Sequence, residues 1–205
     1  MASFTVLRDV GETLKKMLKP NIPELSEESD MVFDSPADME SSTNARLSIF
    51  LYQTAVNSDL RNIGQSPVGE YKMQNPPLIL DLSYIFTPYA QHRETELIIM
   101  ERLMQVFHDN RVLKGDVLQG TLKESGNNEI RVYSNSLTLE ELNRLWGTFP
   151  NKAFKLSASY LLTPVIIPSA TQIDVDRVKQ KDLSMYRKDH DEKIFLEKRE
   201  GKKNP

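Results

Sequence analysis

Apolar positions along the chain fall into runs with two different periods. Val6, Leu7, Val10, Leu14, Met17 and Leu18 recur at three-to-four spacing. Residues 3–19 therefore read as a helix, capped by Ser3 and ended by Pro20 and Pro23. An acidic loop follows, then a short apolar "MVF" at 31–33. From Arg46 to Val56 the period changes to two: Leu47, Ile49 and Leu51 share one face, Ser48, Phe50 and Tyr52 the other. Residues 57–77 hold two glycines and three prolines and read as a long connection. Leu78–Tyr89 alternates again, with Leu78, Leu80, Leu82, Tyr84 and Phe86 on one side.

Glu94–His108 returns to the helical period, with a predicted buried stripe of Leu97, Met100, Leu103, Met104 and Phe107. Short strands are expected at Asp116–Gly120 and Glu129–Tyr133. Thr138 followed by Glu141 matches a capping box, which opens a helix with a stripe of Leu139, Leu142, Leu145 and Trp146 and an end at Gly147. Phe154–Ile167 reads as a last strand, whose second half, carrying Pro164 and followed by Pro168, suits an edge or an extended arm.

The expected fold is α+β: a mostly antiparallel sheet of about four or five strands, with two or three helices packed on its apolar face. Residues 1–170 form the body and 171–205 a charged tail or partner-binding arm. From Thr171 onward there are ten basic and eight acidic residues, against 16 and 21 in the body. The tail lacks a steady period, and within it Ile194, Phe195 and Leu196 stand together between charges.

Composition narrows the function classes. The 205 residues are 39% hydrophobic and 27% charged, with a net charge of −3. Neither body nor tail carries the basic stripe of a nucleic-acid binder. The absence of cysteine excludes disulfides and thiolate metal sites and favours a cytosolic folding compartment. The first twenty residues lack the pattern of a signal peptide, and no apolar run approaches the ~18 residues needed to span a bilayer.

Candidate chemistry is sparse. His92, His108 and His190 lie in different segments, none at metal-ligand spacing from another. His108 and Asp109 are neighbours, and adjacent helical residues point apart. A histidine in a last turn also meets the negative end of the helix dipole, and Asn110 suits a helix stop. The cluster thus reads as a helix end rather than a catalytic pair. Nucleotide-binding and nucleophile-elbow motifs are missing. No catalytic residue, cofactor site or metal site is expected.

Five stretches in order carry a resemblance: "VLRDVGETLKKML", "LSIFLYQTAVNSDLRN", "PPLILDLSYIFTPYA", "ETELIIMERLMQVFHDNRVLKG" and "LTLEELNRLWGTF" with "AFKLSASYLLTPVIIPS". Together, over about residues 4–169, they resemble the cap, or tail-terminator, protein of extracellular contractile injection systems, the phage-tail-like particles of the antifeeding-prophage and virulence-cassette type. The resemblance implies a tail-terminator-like subunit in a homohexameric ring at the end away from the baseplate. There it closes the inner tube, contacts the last sheath ring and stops polymerisation, without enzymatic activity, nucleic acid or membrane. It implies a protein cytoplasmic during assembly and then part of the particle. The alternatives are another structural component or connector of such a particle and, more remotely, a small enzyme using His108. Leu60, Arg61 and Asn62 in the long connection are the expected contact with tube or neighbouring subunit. Ile194, Phe195 and Leu196 are the expected arm toward sheath or neighbour.

Overall fold

The computed structural model describes residues 5–39, 46–69 and 71–175. Strands β1 (Met31–Val32), β2 (Arg46–Val56), β5 (Leu78–Tyr89), β6 (Val112–Lys114), β7 (Glu129–Ser134) and β8 (Ala158–Ile167) form a six-stranded sheet. Its order is β1-β2-β5-β8-β7-β6, antiparallel throughout except for the parallel β1–β2 pair. A smaller sheet of β3 (Ser66–Pro67), β4 (Lys72–Gln74) and β9 (Gln172–Asp174) has the order β3-β4-β9. The α+β class therefore holds, with more strands than the four or five expected. The additions are short strands in segments that read as loops.

Register explains the core. Ile49 pairs with Phe86, Tyr84 with Tyr160 and Leu82 with Leu162. Alternation sends all of these to one face, where α1 (Val6–Leu18) and α2 (Arg93–Asp109) cover them. Phe107 of α2 meets Phe86 edge-on at 5.0 Å, and Phe86 meets Tyr160 at 5.7 Å, so one aromatic column joins helix to sheet.

α1 begins at Val6 after Thr5, rather than at Ser3, which lies outside the described residues. Its polar pin is Asp9, buried and accepting from the Thr121 backbone N–H and hydroxyl, both at 2.8 Å, and from the Thr5 hydroxyl at 3.0 Å. Burial pushes this carboxyl up, but those donors and nearby Arg8 outweigh it and hold Asp9 below its ordinary value. Thr13 extends the pin by accepting from the Gln119 N–H at 3.0 Å. Together they clamp the loop 115–122 onto the helix.

Several expectations are corrected. The strand expected at Asp116–Gly120 is a 3-10 turn over Gly115–Val117; Gly115 (φ 65°) breaks the extended chain, and the strand precedes it as β6. The α2 stripe is rotated. Ile99 and Val106 are buried with Met100, Leu103 and Phe107, while Leu97 and Met104 are each 51% exposed. Helices do not all share one face. In α3 (Leu139–Trp146) only Trp146 is buried, and Leu139 is 69% exposed. Trp146 packs on Phe149, which meets Phe50 at 6.0 Å, and Phe50 alternates with the core residues Ile49 and Leu51. The α3 segment therefore lies on the opposite side of the sheet. The capping box that starts it is present, with Glu141 N–H donating to Thr138 Oγ1 at 3.2 Å and Thr138 N–H to Glu141 Oε2 at 2.8 Å.

The last strand starts at Ala158 rather than Phe154, and β8 is central, between β5 and β7. Its proline half is nevertheless marginal on one side, because β7 pairs only as far as Thr163. Beyond that point the side chain of Asn127 replaces a strand. It accepts from Ile166 N–H at 2.7 Å and donates to Ile166 O at 2.8 Å.

Candidate interaction surfaces

The His108 cluster is a helix end. Asn110 N–H and Nδ2 both donate to Val106 O at 2.9 Å, closing α2 without the left-handed conformation expected of Asn110, whose φ is −117°. His108 is contacted by Arg111, through Nη2 to Nδ1 at 3.1 Å and through Nε to the carbonyl at 3.2 Å. Asp109 makes no hydrogen bond to His108 among the described residues, so no dyad forms. Among the described residues, no group of three His, Asp or Glu side chains could hold a metal ion, and no helix is long and apolar enough to cross a membrane.

The buried polar groups serve the fold. Glu96 on α2 accepts from Arg93 Nη1 at 3.0 Å and from Ala90 N–H at 3.3 Å, and it pairs with Lys155. The Lys155 ammonium also lies 4.7 Å from the centre of the Tyr89 ring. Burial, with the Glu96 charge, pushes the Tyr89 hydroxyl up to about 12. On the opposite face, Asp81 accepts from Thr163 Oγ1 and from Asn57 Nδ2, the latter at 2.8 Å. These groups join elements of one subunit; Asp9, pinned in the same way, also borders a cavity of about 540 Å³ lined by Arg8, Glu12, Lys15 and Lys16.

Three surfaces remain. The first contains Leu60, Arg61 and Asn62, which form an exposed turn. Asn57 Oδ1 accepts from the Asp59 and Leu60 N–H groups at 3.1 and 3.0 Å, while its Nδ2 grips Asp81 on β5. The turn is thereby anchored to the main sheet. The connection beyond it is ordered as the β3–β4 hairpin, and Ile173 of β9 pairs with Met73. Val68, Tyr71, Ile173 and Val175 are exposed around this small sheet. Residues 171–175, beyond the expected body, are thus part of it. The candidate arm Ile194, Phe195 and Leu196 lies outside the described residues.

The second surface is the outer side of α2, where Leu97, Ile98 and Met104 face solvent. A cavity of about 560 Å³ lies at its end, lined by Met104, His108, Arg111 and Tyr133.

The third is the outer edge of β2. β1 covers it only at Leu47 and Ser48. From Ile49 to Val56, among the described residues, no strand pairs with that side. A groove of about 280 Å³ runs beside it, lined by Leu7, Arg8, Gly11, Phe33, Ile49, Phe50, Leu51 and Tyr84. Gly11 shapes its floor, since a Cβ there would stand 2.7 Å from the Phe33 ring. Lys15 lies 4.1 Å from the centre of the same ring. Sequence alternation identified β2 as a strand; the bareness of one edge is a property of sheet order and carries no local sequence signal.

A family profile described as the Pvc16 N-terminal domain matches residues 9–181. Two solved structures share the fold. One is the sheath/tube terminator, in the extended state, of an extracellular contractile injection system termed PVC, with a TM-score of 0.65 and 18% identity over 91% of this chain. The other is the tube-terminating cap of the anti-feeding prophage, with a TM-score of 0.64 and 19% identity over 90% of this chain. This chain spans 65% and 63% of those two proteins' lengths. Among curated proteins, none matches.

Proposed function

The chain belongs to the Pvc16 N-terminal domain family, and from that premise we propose that it is the structural cap of a contractile injection particle. It sits as a homohexameric ring on the baseplate-distal end of the inner tube and last sheath ring, and it ends polymerisation there. The observation that carries this reading is the agreement of the family match over residues 9–181 with the fold shared with two terminating caps. The site geometry supports it: buried polar groups are spent on internal pins, while apolar side chains of α2, α3 and the small sheet are left outward. Such an exterior suits assembly rather than catalysis. We therefore read the chain as non-enzymatic, cytoplasmic during assembly and then part of the particle.

A terminator must match a polymer end with one face and offer no copy of that end on the other. Head-to-tail contacts that close into a ring meet both needs, since no growing interface of its own kind remains free. The anchored turn of Leu60, Arg61 and Asn62, with the small sheet behind it, is the proposed contact with tube or neighbour. Negative-stain microscopy of particles from cells with and without the gene tests the role. Overlong or ragged tubes lacking a small end density are expected in the deletion; normally capped particles would overturn the reading. Trimming residues 64–74 tests the contact, and unimpaired capping would reject it.

A further inference from the structure

The two edges of the main sheet are protected unequally. At one end β6 is only three residues long, is preceded by Arg111 and ends on Lys114, and short length and charge are the usual devices against strand-to-strand pairing. At the other, no strand among the described residues pairs with β2 from Ile49 to Val56, and the run "LSIFLYQTAV" contains no charge and no proline, its one interruption being a bulge between Leu51 and Gln53. An uncharged edge of about 26 Å, at ~3.3 Å per residue, is a template for another strand. Its first half is apolar on both faces: Ile49 and Leu51 turn toward the core side, and Phe50 and Tyr52 toward the other, with Phe50 also bordering the groove; Gln53 and Thr54 follow. The groove beside it, at about 280 Å³, falls just below the ~300–1,000 Å³ of small-molecule pockets and suits one or two aliphatic side chains.

We infer that this edge is the docking site for residues 192–198 of a second copy of this chain, added as a strand. The inference rests on the ring reading and supplies a contact that ties one subunit to the next. Within 176–205, Ile194–Leu196 is the one run of three consecutive apolar residues. In an extended strand such a run places Ile194 and Leu196 on one face and Phe195 on the other. Such a strand can set its two aliphatic side chains into the largely apolar groove beside Leu7, Ile49 and Leu51, with Arg8 at its rim, and its Phe195 on the other face. Backbone hydrogen bonds supply the affinity and the alternate side chains the register.

The length of the tail permits a neighbour as well as self-docking, and the ring reading selects the neighbour. The described chain ends at Val175, whose N–H donates to Tyr71 O at 2.9 Å. This point adjoins β4, which leads into β5, so the tail leaves from the end of the sheet where β2 also finishes. From there to Ile194 the chain can reach ~60 Å. Returning along its own edge needs only ~26 Å, while crossing a folded body of this size takes about 40 Å.

Because the chain has no cysteine, disulfide trapping reads the contact directly. Thr54→Cys, on the exposed edge, is placed in one tagged copy. Single cysteines at each position from 192 to 198 are placed in a differently tagged copy. Both are co-expressed in cells that make the particle. The expected result is a mixed-tag disulfide whose yield rises at alternate positions, several-fold above those between, and drops to background when Ile194→Asp is added. Alternation is the signature of a paired strand and is not produced by random collision. When both cysteines are placed in one chain, a disulfide confined to single chains would overturn the inference in favour of self-docking. Absence of a disulfide, or a yield without alternation, would also overturn it. None of these failures touches the cap reading, which is judged by the appearance of the particle ends.

Discussion

Gly120→Ala tests the clamp that holds the loop 115–122 to α1. Gly120 has φ 57°, and a Cβ built on it would stand 2.5 Å from both Asp9 carboxylate oxygens. The left-handed conformation alone costs an alanine ~1–2 kcal/mol. The clash adds more, because the carboxylate is held by the Thr121 N–H and hydroxyl and must leave them to make room. Two charge-assisted hydrogen bonds, at ~1.5–3 kcal/mol each, are then strained or lost, partly offset as the carboxylate regains water. The total is about 3–5 kcal/mol, or ~6–20 °C in Tm for a chain of this length. Gly115→Ala is the internal control, with nearly the same φ (65°) and no atom within 4 Å of the added Cβ. It carries the conformational cost alone, about 2–8 °C. Urea unfolding of both variants, and of each combined with Asp9→Ala, completes the test. In the Asp9→Ala background the cost of Gly120→Ala falls to that of Gly115→Ala, since the obstructing group is gone. Equal costs for Gly120→Ala and Gly115→Ala with Asp9 present would refute the clamp.

Asp9 also sets an acid limit. Its folded value is held below the ordinary 3.8, so its contribution is complete above about pH 5 and is lost as pH falls through 3.8 and below. The stability gap between wild type and Asp9→Asn, read from urea midpoints, is expected to be widest near neutrality and to close below pH ~4; a gap constant with pH would contradict this. Glu96→Gln leaves the largely buried Lys155 without its partner and is expected to cost ~1–3 kcal/mol, less than a fully buried pair because Lys155 can turn to water. The same change lowers the Tyr89 titration from about 12 while leaving it above 10, since burial remains, and absorbance at alkaline pH reads it. Asn127→Ala strips both partners from Ile166 and is expected to cost ~2–4 kcal/mol. Its specific readout is faster hydrogen exchange at the Ile166 amide; unchanged exchange there would show that the side chain does not stand in for a strand. His108→Ala is expected to leave particle capping intact, and a loss of capping would reopen that cluster.

Elements whose pattern is set by one buried face could be read from the sequence. β2 and β5 occupy the alternating runs Arg46–Val56 and Leu78–Tyr89, although β2 bulges between Leu51 and Gln53 and β5 is also buried on its second face at Ile85 and Thr87. α3 starts where the Thr138–Glu141 pair indicated, because a capping box is a local device. The buried stripes of α2 and α3 differ from the expected ones for a shared reason. Leu97, Met104 and Leu139 are apolar yet outward, and a sequence does not separate residues buried in their own subunit from residues left for a neighbour. The proline half of β8 was half legible. Pro164 and Pro168 marked a missing ladder on one side, but not that Asn127, far back in the chain, supplies the bonds. The turn at Leu60, Arg61 and Asn62 was located, while the small sheet behind it depends on β9, about a hundred residues later.

On the proposed cap reading, these outward residues raise the question of how a subunit stays unassembled until it reaches its place. A chain that assembles at one place must keep its contact surfaces from meeting each other beforehand. Flat apolar surfaces such as that of α2 associate weakly and reversibly when small. A bare strand edge is different, because two copies of β2 pairing edge to edge would satisfy each other's backbone groups and form a dead-end dimer. Such a dimer is isologous, whereas a ring needs a heterologous contact. Filling the edge with a strand tethered to a neighbour removes the dead end and gives the contact a direction, since donor and acceptor are different parts of the chain. The tether also holds the strand at an effective concentration near the millimolar range once the ring has begun to form. Closure is then favoured over further open-ended addition, which is the condition a terminator has to meet.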